Sequence, residues 1–328
     1  MHIPDNYLSP STCLVMVALM VPVWSHCVRK VKKEISKKKM PLLGIGASFS
    51  FLVMMFNIPL PGGTTGHAVG GTLVAILIGP EAACIAITIA IAIQALLFGD
   101  GGILAFGANS FNMAFILPFI GYYIYKSIHN LFKSEKGDYV SALIGSYIAI
   151  NISAIFAGTE LGLQALLFKD ATGAPIYCPY PLSITIPSML IPHLLVAGVL
   201  EALITAGVYA YIRKVSPEII YEAPKSKITA IYALIIAIII VTPLGLLAKG
   251  TAWGEWGADK IKSVVINGKA LGFIPKGMKG GFKFKGIMPN YTAFKLPSSI
   301  GYVLSAIAGV GILLLIFKII ITGKKKDE

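Results

Sequence analysis

The sequence is poor in acidic side chains, histidine and cysteine: 15 Asp and Glu stand against 28 Lys and Arg, with 5 His and 4 Cys in 328 residues. Each scarcity excludes something. Cys13, Cys27, Cys84 and Cys178 form no CxxC pair and no Cys/His finger spacing, so they read as apolar packing residues. No GxxxxGK[ST] segment occurs, so ATP hydrolysis through a phosphate loop is not expected of this chain. GxSxG, HExxH and a Cys-nucleophile pattern are also missing. No span carries the row of carboxylates that a proton relay would use. An enzyme is therefore not expected, because Glu160 and Glu201 are the only candidates for an acid-base pair.

What fills the chain is apolar. Hydrophobic residues make up 56% of it, and mean hydropathy is +0.78, well above a soluble domain at about 45–50% apolar. The apolar residues come in runs of helical-span length rather than alternating ten-residue strands, which points to an all-α, polytopic integral membrane protein and against a barrel. MHIPDNYLSP precedes the first apolar run and the charges follow it, opposite to a cleaved signal peptide. The formal charge of +13 falls in clusters beside apolar runs, so a lipid bilayer accounts for it and nucleic acid is not a partner.

Taken in order, the first span covers 8–28 and is followed by RKVKKEISKKK, which should be cytoplasmic and so leaves the N-terminus outside. A span over about 41–58 ends in NIPLPGGTTGH, an outer loop that carries His67. The run 68–98 is broken by Gly79, Pro80 and Glu81 and is expected as two helices, the first short and glycine-rich. GDGGILAFGAN returns outside; spans near 110–125, 139–168 and 187–212 follow. The expected organisation is about seven spans in residues 1–213, a linker over 214–227, and two spans near 228–248 and 298–321 in residues 228–328. An outer loop over 249–297 joins those two, and the C-terminus lies inside. No internal repeat appears at a fixed period.

The chemistry sits at the beginning. The α-amine of Met1, the amide nitrogen of His2 and the His2 imidazole can close two fused chelate rings on one divalent metal. His67, brought to the same outer face, can supply a fourth nitrogen. Four nitrogens in a plane suit Ni(II) or Cu(II) better than tetrahedral Zn(II). Methionine is removed mainly before small residues, and His2 is not small, so the amine is expected to stay on Met1. Protons compete for the same nitrogens, so metal capture is expected to weaken as pH falls through the histidine range of about 6 to 7.

A neutral imidazole ligand needs its other nitrogen held, so polar groups should surround the site. Gln94, Asn109, Asn112, Glu160 and His193 are candidates, each equally readable as a helix-helix hydrogen bond or cap. Glu201 lies mid-span, where a carboxylate is costly; it is either paired to fix packing or functional. Trp253, Glu255 and Trp256 in the last outer loop read as interface anchors, or as parts of a gate or docking contact.

MHIPDNYLSP, HAVGGTL, QALLFGDGGILAFGANSFNMA and PHLLVAGVLEALITA together resemble the substrate-binding S component of energy-coupling-factor nickel and cobalt transporters, the CbiM/NikM family, over residues 1 to about 213. Residues 225–328, with TAWGEWG between two spans, look like a NikN-type (PDGLE-like) accessory module fused to it. The resemblance implies metal ligation by Met1, His2 and His67, and no resident cofactor, the bound ion being the transported substrate. It also implies a transmembrane coupling subunit and two cytoplasmic ATPase subunits as partners, in a prokaryotic cell membrane. MHIPD and GDGGI look more like the nickel branch than the cobalt branch. Cobalt on the same scaffold and a stand-alone secondary metal carrier are the alternatives. One departure is Asn6, where the family more often has glycine.

Overall fold

In a computed structural model, the structure describes residues 1–34, 40–60, 64–217, 219, 228–248, 250–266, 268–293 and 296–323. Most of the linker expected over 214–227 lies outside these residues, as do 35–39 of the first basic block and the basic end at 324–328.

Helix α1 (Pro10–Glu34) starts where the Ser9 hydroxyl accepts the Thr12 amide hydrogen at 3.0 Å, the ordinary serine N-cap. Helix α2 (Met40–Met54) is apolar almost all round and buried almost all round, as such a helix must be. It leads into a short antiparallel hairpin, β1 (Ile58–Leu60) with β2 (Thr64–Gly66), in which Ile58 faces Gly66. His67 is the next residue.

The break expected at GPE is present: α3 (Gly71–Ile78) ends at Gly79, whose φ of 88° few side chains tolerate, and α4 begins on Pro80 (Pro80–Ile93). At 8 residues, α3 is only about 12 Å long. It cannot cross the roughly 30 Å hydrocarbon layer by itself. It serves instead as a half-length helix whose N-terminus points at the hairpin side, where the site is.

The remaining rods are α5 (Phe106–Ser110) running on into α6 (Leu117–Leu131), α7 (Glu135–Leu167), and α8 (Leu182–Pro192) running on into α9 (Gly198–Val215). Helix α7 is central and packs on α6, α8 and α9. Its glycines permit this: a β-carbon on Gly158 would lie 2.9 Å from the Cα of Ile186 on α8. The C-terminal part contributes α10 (Ile228–Val241) and α11 (Ser298–Gly323), and α11 lies along α2. Among the described residues six helices are long and apolar enough to cross a membrane, and α2 is a shorter apolar helix. All four cysteines are buried free thiols.

Three π-helical segments interrupt these rods, at Gln94–Phe98, Phe111–Ile116 and His193–Ala197. Each contains a polar residue already singled out by sequence: Gln94, Asn112 and His193. A π turn inserts an extra residue and re-aims side chains, a device frequent at functional sites.

Candidate metal centre

The chain before α1 does not extend into solvent but folds back into the bundle, leaving Met1 and His2 only 3% and 4% exposed. Backbone bonding explains the path. Asn109 clamps Ile3 from both sides, its Oδ1 accepting the Ile3 amide hydrogen at 2.7 Å and its Nδ2 donating to the Ile3 carbonyl at 3.0 Å. Gly102 N–H donates to the same carbonyl at 2.9 Å. Asp5 Oδ1 accepts from Leu104 N–H at 2.7 Å, and Ser9 N–H donates to Gln164 Oε1 at 2.9 Å. Asn6 adopts φ 71°, a conformation asparagine tolerates, and its amide pairs doubly with the backbone of Phe282, at 2.8 Å each way. The residue that departs from glycine thus keeps the glycine conformation and adds a contact to the C-terminal loop.

His67 is fixed from behind. Its Nδ1 must carry the hydrogen it donates to the Ala68 carbonyl at 3.0 Å, which leaves the Nε2 lone pair free, and that atom lies 3.2 Å from His2 Nδ1. Two cis ligands of a planar ion, with metal–nitrogen bonds of roughly 2.0 Å, would stand about 2.8 Å apart. A small contraction therefore suffices. The segment after His67 is held by Glu201, whose carboxylate accepts from Val69 N–H at 2.7 Å and Gly70 N–H at 2.9 Å. Glu201 is fully buried and paired, at the start of α3, where the helix dipole and free amides favour an anion. Its role in the geometry is to position the His67 loop.

Asp100 and Gln94 also lie beside the His2 ring, Asp100 at the same Nδ1 that His67 approaches. Asp100 Oδ1 is 3.4 Å from His2 Nδ1. Gln94 Oε1 and His2 Nε2 are both buried without a hydrogen-bond partner in the present geometry, although the Gln94 side chain is near enough to raise the basicity of the ring. When Nδ1 binds a metal the ring proton must sit on Nε2, where Gln94 Oε1 is the available acceptor. Asn112 and Glu160 pair with each other at 2.8 Å and brace α5–α6 against α7, and among the described residues neither hydrogen-bonds to His2 or His67. His193 donates from Nδ1 to the Met189 carbonyl at 2.6 Å, and its Nε2 is buried and unpartnered. A charge on His193 or on the Met1 amine disfavours a charge on His67.

Burial sets the protonation states. It pushes the Met1 amine and His2 below their usual values, with Asp100 partly opposing in both cases. His67 is driven well below the ordinary imidazole range, first by burial and then by the amine and His2. Burial therefore favours the neutral form of all three nitrogens, the form that binds a metal. The same desolvation carries proton binding by the two rings to lower pH.

A cleft of about 430 Å³ leads to the two histidines, lined in part by Asp100, Glu255, Tyr291 and Tyr302. Burial raises the Glu255 carboxyl to about 7, against the opposing pull of the Met1 amine. Trp253 and Trp256, both partly buried, pack on neighbouring aromatic rings. They pack against each other, with ring centroids 5.4 Å apart, and against Tyr180, while Tyr7 O–H donates to the Trp256 carbonyl at 2.9 Å. The loop carrying them covers the folded-back N-terminal segment.

Residues 2–219 match the family described as the CbiM cobalt uptake substrate-specific transmembrane region. The chain belongs to the CbiM family. Residues 227–326 match the PDGLE domain, so this CbiM-family chain carries its accessory part in the same polypeptide. A probable fused nickel transport protein LarMN of Lactiplantibacillus plantarum is 50% identical over 321 residues, covering 97% of each chain. A fused nickel transport protein NikMN of Rhodobacter capsulatus is 42% identical, covering 95% of each. A cobalt transport protein CbiM of Lachnoclostridium phytofermentans is 29% identical over 64% of this chain and 83% of its own. A crystal structure described as a truncated transition metal transporter is 55% identical, with a TM-score of 0.62 over 65% of this chain and 99% of its own. The CbiM-family chain is a multi-pass membrane protein of a group of prokaryotic metal transport proteins.

Asp5, Asp100, Gln164 and Tyr291 were not anticipated as site residues. Asp100 was within reach, since it lies in the GDGG segment. Nothing in the sequence pointed to Tyr291, which sits 191 residues from Asp100.

Proposed function

We propose that this chain captures Ni(II) as transport substrate, the ion held by the Met1 amine, the His2 amide and Nδ1 nitrogens, and His67 Nε2. The observation that carries the reading is the convergence of His2 Nδ1 and His67 Nε2 to 3.2 Å beside the buried first residue. Planar four-nitrogen coordination favours Ni(II), and the names of the LarMN and NikMN relatives support the same ion. Cobalt uptake is the second reading, favoured by the family description and by CbiM relatives.

In this proposal residues 1–213 form the capture module, 214–227 the linker and 228–328 the accessory module. The chain acts as the specificity component of an energy-coupling-factor transporter. A transmembrane coupling subunit and two cytoplasmic ATPase subunits supply the energy, and the chain itself is not an enzyme. The N-terminus and the ligand face lie outside, with the C-terminus inside.

Metal analysis and absorption spectra of the purified chain with its native first residue, after exposure to Ni(II) and Co(II) separately, test the reading. One bound nickel with a planar d-d band, absent when a single residue is added before Met1, is the expected result. Normal nickel binding by the extended chain would exclude the amine as a ligand. Tight cobalt with weak nickel would favour the cobalt reading. Metal uptake without ATP by vesicles holding only this chain would exclude the coupled scheme.

A further inference from the structure

Tyr291 belongs to the C-terminal module, yet its phenol reaches into the polar wall behind His2. It is deeply buried, stacked on Phe98 with centroids 4.7 Å apart and packed on Tyr302 at 5.3 Å. Its hydroxyl donates to Asp100 Oδ2 and accepts from Gln94 Nε2 at 3.0 Å. Asn290 and Tyr291 both hold left-handed backbone angles, φ 53° and 58°. Consecutive left-handed non-glycine residues persist only where surrounding contacts over-determine them. Here the stacked ring and the Met288 N–H bond to the Leu97 carbonyl, 2.7 Å, supply those contacts.

Asp100 and Gln94 both lie beside the His2 ring, and one hydroxyl from the accessory module bonds to both. The consequence is specific. Asp100 Oδ1 lies 3.4 Å from His2 Nδ1, whereas cis donors on one metal would stand about 2.8 Å apart, as above. One carboxylate oxygen stands beside the ligand nitrogen, slightly farther from it than His67 Nε2 at 3.2 Å, while the other is tied to Tyr291. A free Asp100 could swing in and add an oxygen donor. That would convert a planar nitrogen set, which selects Ni(II), into a mixed five- or six-coordinate set that does not.

We propose that Tyr291 is a specificity-determining positioning residue: by holding Asp100 off the metal and Gln94 toward His2, the C-terminal module keeps the site planar and selective for nickel over cobalt. This rests on the four-nitrogen chelate proposed above.

The test uses the full chain with its native N-terminus, loaded with Ni(II) or Co(II), comparing wild type, Tyr291→Phe and Tyr291→Phe/Asp100→Asn. Phenylalanine keeps the stack on Phe98 and removes only the hydroxyl. Absorption spectra and competitive binding give two independent readouts. In Tyr291→Phe the planar nickel band should give way to a paramagnetic species, and the nickel-to-cobalt affinity ratio should fall on the order of tenfold, the lower range for groups that support a metal ligand. The double variant should recover both. A Tyr291→Phe protein with wild-type spectrum and ratio would overturn the proposal, as would a change that Asp100→Asn does not reverse. A wild-type protein that binds nickel without a planar band would instead remove the chelate itself, and this inference with it.

Discussion

Glu201 Oε2 lies 2.7 Å from the amide nitrogen of Val69, two residues beyond His67, although the two are 132 positions apart in sequence. A carboxylate deep in an apolar span is tolerable because the first amides of α3 surround it. Glu201→Gln replaces one acceptor oxygen with an N–H₂ that faces other donors. Nickel affinity should fall about 10- to 100-fold, as when other groups supporting a metal ligand are lost. Glu201→Ala should in addition lower thermal stability, since two buried amides lose their acceptor at about 1–3 kcal/mol each. Competitive nickel binding and a melting curve measure both; wild-type affinity in Glu201→Gln would remove Glu201 from the support of His67.

Asn109 acts on the other half of the proposed chelate. It satisfies both backbone groups of Ile3, and without it the first residues lose the clamp that holds them in the bundle. Asn109→Ala should weaken nickel binding on the order of tenfold or more through lost preorganisation. Asn109→Asp should be at least as damaging, because a carboxylate oxygen would then face the Ile3 carbonyl. If both variants bind as the wild type does, the clamp is irrelevant to capture.

Asn6→Gly separates loop shape from ligation. Glycine takes φ 71° without cost, but the two bonds to Phe282 disappear. Stability should drop by about 1–2 kcal/mol, the worth of one or two ordinary hydrogen bonds, while nickel affinity stays within twofold. A large loss of affinity would mean that the C-terminal loop holds the N-terminal segment in place through this residue.

How much of this was readable beforehand depends on the range of the interactions. The helical membrane fold, the break at Gly79 and Pro80, and the proximity of His2 and His67 follow from local patterns: apolar runs, a helix-breaking pair, and two loops assigned to one face. Gln94, Asn109 and Glu201 were singled out as polar residues in apolar surroundings, which says that they are partnered but not with what. Asn112 and Glu160 satisfied the same criterion and pair with each other instead of flanking the histidines. The packing of Trp253 and Trp256 on Tyr180 was not legible, because an interfacial tryptophan and a tryptophan stacked on a tyrosine look identical in sequence. Tyr291 was invisible, since its partners come from a module 191 residues away.

His67→Ala should leave three nitrogens and an open position that water fills. Affinity should fall by at least 100-fold, beyond the 10- to 100-fold typical of supporting groups, and discrimination between nickel and cobalt should narrow, because geometry no longer enforces a plane. Equilibrium dialysis against both ions checks this; undiminished nickel affinity would take His67 out of the site.

The pH dependence distinguishes the amide from the other donors. The folded chain holds the Met1 amine, His2 and His67 below their ordinary values, so each binds a proton less readily than in the unfolded chain. The sign follows: the stability conferred by keeping the imidazoles neutral is complete above about 6.5, their unfolded value, and is lost as pH falls below it. For metal capture by the folded chain the imidazoles have stopped competing with protons before that pH is reached, because burial lowers both of them. The His2 amide remains protonated until metal displaces its hydrogen, so nickel binding between about pH 7.5 and 8.5 should release about one proton per ion, and the logarithm of the affinity should rise by about one per pH unit. Only further below about pH 6.5, where the lowered imidazoles of the folded chain begin to take up protons, should the slope steepen. Calorimetry in two buffers of different ionisation enthalpy counts those protons. A count near zero in the alkaline window would mean that the amide is not a ligand, and a count of two or more would mean that burial does not keep the amine and imidazoles neutral.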